Sequence, residues 1–170
     1  MQLQSQLVFR LWKAQAALQS TEKGTKRGLL RYGDKEAAMS IRKMISLHPN
    51  VHGHTNQPLG DAVHHMMYCA KMCRSCADAC VAEAVDMDQC IRLCTDCADV
   101  CDATCNIAMR QSGQNDQVVR EMLELCARVC YGCAAECEKH DHEHCRLCAQ
   151  MCRECAEDCR NAAESVMQPA

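Results

Sequence analysis

The chain of 170 residues is long enough for one domain and an appendage, and 18 of its residues are cysteine. Its net charge of −3 combines a basic first part, residues 1–68, with an acidic remainder, and the basic excess is too small to indicate a nucleic-acid surface. No apolar run approaches the roughly 18 residues of a membrane span and no export signal is visible, so we expect a cytoplasmic protein with reduced thiols and no membrane partner.

Residues 1–38 are predicted to form an N-terminal helical extension, whose role the sequence leaves open. Leucines at intervals of three or four residues predict a short amphipathic helix over residues 1–20. Asp34 is the predicted N-cap of a second helix over residues 35–47. Residues 39–60 are accordingly expected to hold a short helix and a loop that lead into the main domain.

The main domain, residues 61–166, repeats one cysteine pattern four times. Each copy contains the motif Cys-x-x-Cys-Ala-x-x-Cys. The four copies of the motif begin at Cys73, Cys94, Cys130 and Cys152. Intervals of three and four residues match the period of an α-helix, so the cysteines of each copy fall on one stripe. Charged side chains such as Lys71 and Arg74 take the opposite side, and the pattern is that of a core-facing helix with cysteine in place of leucine.

Four helices are predicted in this domain, with short connections between them. They cover residues 61–82, 88–110, 116–138 and 143–165. Asp88 and Asp116 are the predicted N-caps of the second and third helices. Short connections make successive helices antiparallel neighbours. The predicted fold class is therefore all-α: an antiparallel up-down-up-down four-helix bundle with a cysteine-lined core, plus N-terminal helical segments.

Three explanations of the cysteines fit this pattern poorly. Cysteine serving only as a small hydrophobe would bury too little apolar area for a robust core. Cysteines four apart on one helix are separated by about 5–6 Å at Cβ, beyond the roughly 3.8 Å of a disulfide, although bridges between helices stay open. A Cys-x3-Cys-x2-Cys spacing superficially matches an iron–sulfur motif, but no strand-rich surroundings accompany it and a ferredoxin-type run is absent.

Thiolate-bound metal is the stronger explanation, and two classes of ion remain open. Zinc or cadmium would take four thiolates each, as in a buffer of metallothionein type, and would leave excess negative charge buried in the core. Cu(I) is soft and singly charged, and it accepts two or three sulfurs. If thiolates bridge neighbouring Cu(I) ions, ions and sulfurs approach equal numbers and the core is nearly neutral. A thiol redox protein is a further alternative, but we expect no enzyme, because no nucleophile–base pair stands apart from the cysteine pattern.

At these residues the sequence resembles the four-helix-bundle copper storage proteins of bacteria, in their cytosolic branch. The four cysteine motifs carry the resemblance, together with Met-Ile-Ser-Leu-His-Pro at 44–49, the following His-Gly-His-Thr-Asn-Gln, and Gln-Cys-Ile-Arg-Leu at 89–93. The resemblance covers residues 40–165. It implies a cytosolic protein that stores many Cu(I) ions in the lumen of the bundle and assembles as a homotetramer. A copper chaperone or an acceptor cuproenzyme is the expected protein partner.

The candidate metal ligands are all 18 cysteines and three histidines of the last loop. The cysteines are Cys69, Cys73, Cys76, Cys80, Cys90, Cys94, Cys97, Cys101, Cys105, Cys126, Cys130, Cys133, Cys137, Cys145, Cys148, Cys152, Cys155 and Cys159. The predicted topology places His140, His142 and His144 at the same end as the loop that contains Met87. Histidine and methionine exchange metal more readily than a buried thiolate, so this end could admit copper, or it could be a solvated polar loop. The family resemblance implies histidine ligands near the mouth of the bundle, so we expect copper to enter here.

Two further side chains fall close to the cysteine stripes. His65 lies about 40° from Cys69 around its helix, and Met122 lies about the same angle from Cys126. Either residue would extend the row of sulfur ligands at the far end of the bundle. A hydrogen-bonded core histidine and a core-filling methionine explain them equally well, and the sequence leaves the choice open.

Overall fold

The computed structural model describes residues 40–51, 55–110 and 114–166. The whole predicted N-terminal extension, residues 1–38, lies outside these ranges, including the helix over residues 1–20 and the Asp34 N-cap. Every regular element within the described ranges is helical. The all-α prediction is therefore confirmed for the part of the chain that the structure describes.

A short helix precedes the main domain. Helix α1 covers Ile41–Ser46, and the side chain of Ser40 caps it by accepting a hydrogen bond from the Lys43 N–H at 3.2 Å. A 3-10 turn over Pro49–Val51 follows. The described part of the helix predicted over residues 35–47 therefore begins at Ile41, directly after the Ser40 cap. Ile45 is buried and joins the core of the long helices.

Four long helices form the main domain, as the cysteine repeats predict. They are α2 (Gln57–Val81), α3 (Asp88–Ala108), α4 (Asp116–Cys137) and α5 (Glu143–Val166). Helix α2 begins four residues before the predicted start at 61, because the Asn56 side chain accepts a hydrogen bond from the Leu59 N–H at 3.0 Å. Pro58 is compatible with this start, because proline lacks a backbone N–H and the N–H groups of the first helical turn have no acceptor within the helix.

Gly60, in the first turn of α2, lies against Arg42 of α1. A Cβ atom at this position would lie 3.3 Å from Cγ of Arg42, which is tighter than ordinary contact. The same arginine pairs with Asp61 at 2.6 Å. A glycine that composition alone assigns to a loop therefore belongs to the helix and gives α1 room to pack.

The predicted N-cap roles of Asp88 and Asp116 are wrong by one residue. The cap positions are Met87 and Asn115, and each aspartate is the first residue inside its helix. At α3 the carboxylate of Asp86 accepts a hydrogen bond from the Asp88 N–H at 3.1 Å, so a side chain two residues upstream does what a cap would do. Asp88 and Asp116 still place negative charge at the positive end of a helix dipole.

Sulfur contacts show that α2, α3 and α4 alternate in direction. Between α2 and α3, Cys80 touches Cys90 at one end, at 3.7 Å, and Cys105 reaches the Val63 carbonyl at the other, at 3.8 Å. Residues late in one helix therefore contact residues early in the other, which occurs only between antiparallel helices. Between α3 and α4, Cys90 near the start of α3 contacts Cys137 at the end of α4, so these two helices are antiparallel as well.

Helix α5 closes the ring by packing on both α4 and α2. Its Cys152 lies 3.6 Å from Cys69, and its Cys148 lies 3.7 Å from Cys73, again in antiparallel order. The predicted up-down-up-down bundle is confirmed. No helix within the described ranges is both long and apolar enough to cross a membrane.

The two ends of the bundle differ in chemistry. The histidine end is formed by the loops over residues 82–87 and 138–142. The apolar end lies beyond the last cysteines and is filled by ordinary core side chains. They are Leu59, Ala62, Val63, Met66, Ala108, Val119, Leu123, Ala162 and Ala163, all buried. Because this end holds the largest apolar side chains of the core, it supplies much of the hydrophobic stabilisation of the metal-free bundle.

We expect Leu123→Ala to lower the free energy of unfolding of the metal-free protein by about 2–5 kcal/mol, because Leu123 is fully buried and its removal leaves a cavity. Denaturant unfolding under anaerobic, reducing conditions measures this change. Leu147→Ala is the control, since Leu147 lies on α5 and is 48% exposed, and it should change stability by about 0.5 kcal/mol or less. Equal losses in the two variants would contradict the assignment of the apolar end.

Candidate metal centre

All 18 cysteines are directed into the bundle. None is more than 4% exposed, and all are free thiols. The alanines beside the stripes, among them Ala98 and Ala134, are buried as well, which lets the helices approach closely. The inward convergence of four sulfur stripes, which the helical spacing predicts, is what the structure shows.

The sulfur atoms contact one another across the core. Their separations range from 3.4 Å, between Cys73 and Cys152, to 4.0 Å, between Cys126 and Cys130. A disulfide requires about 2.05 Å, so none of these contacts is a covalent bridge. Four sulfurs about 2.3 Å from one central ion would lie about 3.8 Å apart, which is within the observed range. The thiols are already spaced as ligands that share metal ions.

Groups of four thiols recur along the bundle axis. One group, Cys69, Cys101, Cys130 and Cys155, takes one thiol from each long helix. Each of the further groups shares at least one thiol with the group before it. They are Cys69–Cys73–Cys97–Cys152, Cys73–Cys133–Cys148–Cys152 and Cys76–Cys94–Cys137–Cys148. Because successive groups share members, the sulfurs form one continuous ladder and not a set of separate tetrahedral sites.

Burial keeps several of these thiols protonated in the absence of metal. It raises the pKa of Cys105 to about 11, and it raises the pKa of Cys80, Cys90 and Cys145 above its ordinary value. The Cys105 thiol lies toward the apolar end, where it faces the carbonyl of Val63. At neutral pH these four thiols carry no charge into the empty core, and each thiolate that binds a metal ion must first release a proton.

His144 joins the ladder at the histidine end. Its Nδ1 atom lies 3.4 Å from Sγ of Cys76 and 3.5 Å from Sγ of Cys145. With Cys80, these residues form a group whose four ligand atoms all lie within 4.8 Å of one another. On the other side of the ring, Nε2 lies 3.1 Å from Oε1 of Glu83. Of the three predicted histidine ligands, His144 is the one that the structure places against thiols.

His142 lies outside this group. Its ring stacks on His144 with centroids 5.4 Å apart, and its Nδ1 lies 3.2 Å from the same Glu83 oxygen. The stack places His142 beside His144 at this end, and both side chains are partly exposed.

His140 occupies the other side of the same end, between α3 and α4. Its Nε2 is buried without a hydrogen-bond partner among the described residues, 3.6 Å from Oε1 of Glu136. A pocket there is lined by Met87 and Cys90 together with His140. The three predicted histidines are therefore divided between two sides of the histidine end.

Sequence reasoning missed two carboxylates at this end, Glu83 and Glu136. Glu83 contacts both His142 and His144, whereas Glu136 is buried and pairs with Lys139 at 2.6 Å. Their positions in the sequence could have revealed them. Each glutamate lies within one helical turn of a cysteine, Cys80 or Cys137, at the end that carries the histidines.

The two residues flanking the stripes are placed away from the sulfur contacts described above. His65 is partly exposed, and its Nδ1 lies 2.5 Å from Oδ2 of Asp158, which is its hydrogen-bond partner on α5. Met122 is half-buried on α4, and its carbonyl faces the Thr104 hydroxyl at 3.5 Å. These surroundings favour the structural explanation of both residues.

Comparison with known proteins gives one matching family model, described as copper storage protein, over residues 55–164. A solved structure of the copper storage protein Ccsp from Streptomyces lividans, loaded with 10 copper equivalents, is 36% identical with a TM-score of 0.70 and covers 74% of this chain and 99% of its own. Another structure of the Streptomyces lividans protein, with five coppers, is described as a cytosolic copper storage protein. It is 40% identical over 64% of this chain and 93% of its own, with a TM-score of 0.62.

Two further relatives come from bacilli. The copper storage protein BsCsp3 of Bacillus subtilis, with Cu(I) bound, is 38% identical over 60% of this chain and 94% of its own, with a TM-score of 0.54. The cysteine-rich protein YhjQ of Bacillus subtilis (strain 168) is 40% identical over 82 residues, which are 48% of this chain and 74% of YhjQ. The residues that the family model matches, 55–164, contain all four cysteine repeats.

Proposed function

Because this chain belongs to the copper storage protein family, we propose that it stores Cu(I) in the cytosol on the thiolates that line its bundle. The proposed ligands are the 18 cysteines, with His140, His142 and His144 at the histidine end. The overlap of the thiol groups carries the proposal, because shared sulfurs allow neighbouring ions to be bridged along the whole core. The proposed role is storage and not catalysis.

The charge balance of the core supports Cu(I) over a divalent ion. A zinc or cadmium ion bound by four thiolates leaves two negative charges in a buried site, and such charge is costly without compensation. Cu(I) ions bridged by thiolates at nearly equal numbers leave the core almost neutral. The relatives described above are copper proteins where their metal is named, and they give the zinc, cadmium and thiol-redox alternatives no support.

Copper is proposed to enter through the histidine end. The opposite end is filled by Val63, Met66 and Leu123, all fully buried, which closes the described core there to solvent. At the histidine end, by contrast, His144 touches two thiols directly and His140 and Met87 line a pocket beside Cys90. A copper chaperone as donor and a cuproenzyme as acceptor are the proposed protein partners.

We expect anaerobic titration with Cu(I) against a competing chelator to reach a plateau near one ion per cysteine, because the thiols form a continuous ladder. The ions bound per chain are measured by elemental analysis after gel filtration. Zinc, titrated in the same way, should saturate at about four ions per chain, since each takes four thiolates. A Cu(I) plateau of about four would contradict the ladder and indicate separate tetrahedral sites.

We expect a variant with His140, His142 and His144 all replaced by alanine to load Cu(I) more slowly while reaching the same plateau, because the cysteines are intact but exchangeable ligands are missing at the point of access. Stopped-flow transfer from a chelator measures the rate. A variant with His48→Ala and His64→Ala, which alters histidines away from this end, is the control. An unchanged rate in the triple variant would refute a role in access.

The protein is also proposed to form a homotetramer, as its resemblance to the family implies. Val118 and Leu125 lie seven residues apart on α4 and are 50% and 36% exposed, and this apolar row supports self-association. Sedimentation equilibrium of the full chain should give the mass of four copies. A monomer at micromolar concentration would contradict the proposal.

A further inference from the structure

Glu83 connects the loop after α2 to the histidine loop before α5. The residue follows the C-cap of α2, and its N–H bonds the Cys80 carbonyl at 3.3 Å, which fixes the backbone beside the last thiol of that helix. From there, one carboxylate oxygen, Oε1, lies 3.1 Å from Nε2 of His144 and 3.2 Å from Nδ1 of His142. Glu83 contacts no thiol in the contacts described for this end, so any effect on the ladder must pass through the histidines.

The carboxylate determines which nitrogen of His144 is free to bind a metal. An ionised carboxylate only accepts hydrogen bonds, so the neutral imidazole must carry its proton on Nε2. Nδ1 then keeps its lone pair, and this atom lies 3.4 Å from the Cys76 sulfur and 3.5 Å from the Cys145 sulfur. The hydrogen bond to Glu83 therefore directs the electron pair of His144 toward the point that the thiols surround.

The same contact holds the ring in place. His144 is only partly buried, and thiols are weak hydrogen-bond partners, so its ring has little else to prevent rotation about the Cβ–Cγ bond. Rotation by half a turn would direct carbon atoms, and not Nδ1, at the thiols. His142 stacks on the outer face of the ring and shares the Glu83 oxygen, which ties both rings to one carboxylate.

We propose that Glu83 is a positioning residue: it orients His144 so that Nδ1 joins Cys76, Cys80 and Cys145 in receiving each Cu(I) ion at the histidine end. This inference rests on the proposed storage of Cu(I). In metalloproteins a carboxylate that accepts from the outer nitrogen of a histidine ligand fixes its orientation, and loss of such a partner typically costs about 10–100-fold in metal affinity or activity.

A competing explanation is that Glu83 merely attracts cations by its charge. The two explanations differ in what Glu83→Gln does, since a glutamine oxygen still accepts from Nε2–H of His144 but carries no charge. They also differ in what Glu83→Ala does in a variant that already carries His144→Ala. If Glu83 acts by positioning His144, the second substitution has no further effect, because there is no imidazole left to position.

The experiment measures stopped-flow transfer of Cu(I) from bicinchoninate to the full-length protein at low and high salt. We expect Glu83→Ala to slow loading by about 10-fold or more, Glu83→Gln to load nearly as fast as the native chain, and Glu83→Ala to add nothing to His144→Ala. Glu143→Ala is the matched control, because Glu143 lies at the same end but pairs with Arg146. Additive losses, or Glu83→Gln as slow as Glu83→Ala, would overturn the proposal.

A second measurement needs no copper. Nitrogen-15 NMR of the metal-free protein should show the proton of neutral His144 on Nε2 with a single ring orientation, and Glu83→Ala should remove that restriction. A restricted His144 ring in Glu83→Ala would overturn the proposal. If the native chain instead binds no Cu(I), the proposed function fails while the NMR result on Glu83 still stands, so the two failures are distinguishable.

Discussion

The structure depends on one constraint: a core lined by thiols must stay close to electrical neutrality. Without metal, burial raises the pKa of thiols such as Cys90 and Cys105, so they remain protonated and the interior carries no charge from them. With metal, each thiolate requires a cation beside it, because an unpaired buried charge is costly. Overlapping groups of sulfurs meet this requirement with monovalent ions at nearly equal numbers, and the same overlap explains why thiols in contact at 3.4–4.0 Å extend along the whole bundle.

Stability and metal binding are assigned to different parts of the same bundle. Thiols surrounded by small residues such as Ala98 give close helix packing but little apolar area, so the metal-free fold draws on the apolar end, where Met66 and Leu123 are fully buried. Bound ions then add their binding free energy to that of folding. The loaded bundle is consequently expected to be held along its whole length, whereas the empty one is held most firmly at the apolar end.

The difference between the two ends gives the ladder a direction. The apolar end is closed by fully buried side chains such as Met66 and Leu123, whereas at the histidine end the partly exposed His144 already touches Cys76 and Cys145. Glu83, in the loop after α2, and Glu136, on α4, bring carboxylates to that end. Thiols along the core, with histidines and carboxylates at one opening, suit the proposed uptake and release of a soft cation.

The sequence by itself determined the helices, their inward stripes and the soft-metal chemistry, because a spacing of three and four residues repeated four times has only one helical face to occupy. The sequence pattern misplaced the start of α2 and the N-caps of α3 and α4, which it assigned to Asp88 and Asp116. Side chains such as Asn56 and Asp86 determine where these helices begin through local hydrogen bonds, which the cysteine spacing does not reveal. Only the tertiary structure decided which thiols share a group, that His140 is separated from His142 and His144, and that Glu83 bonds His144. Those relations join residues up to about 80 positions apart, and they arise from the packing of one helix against another, which no local pattern encodes.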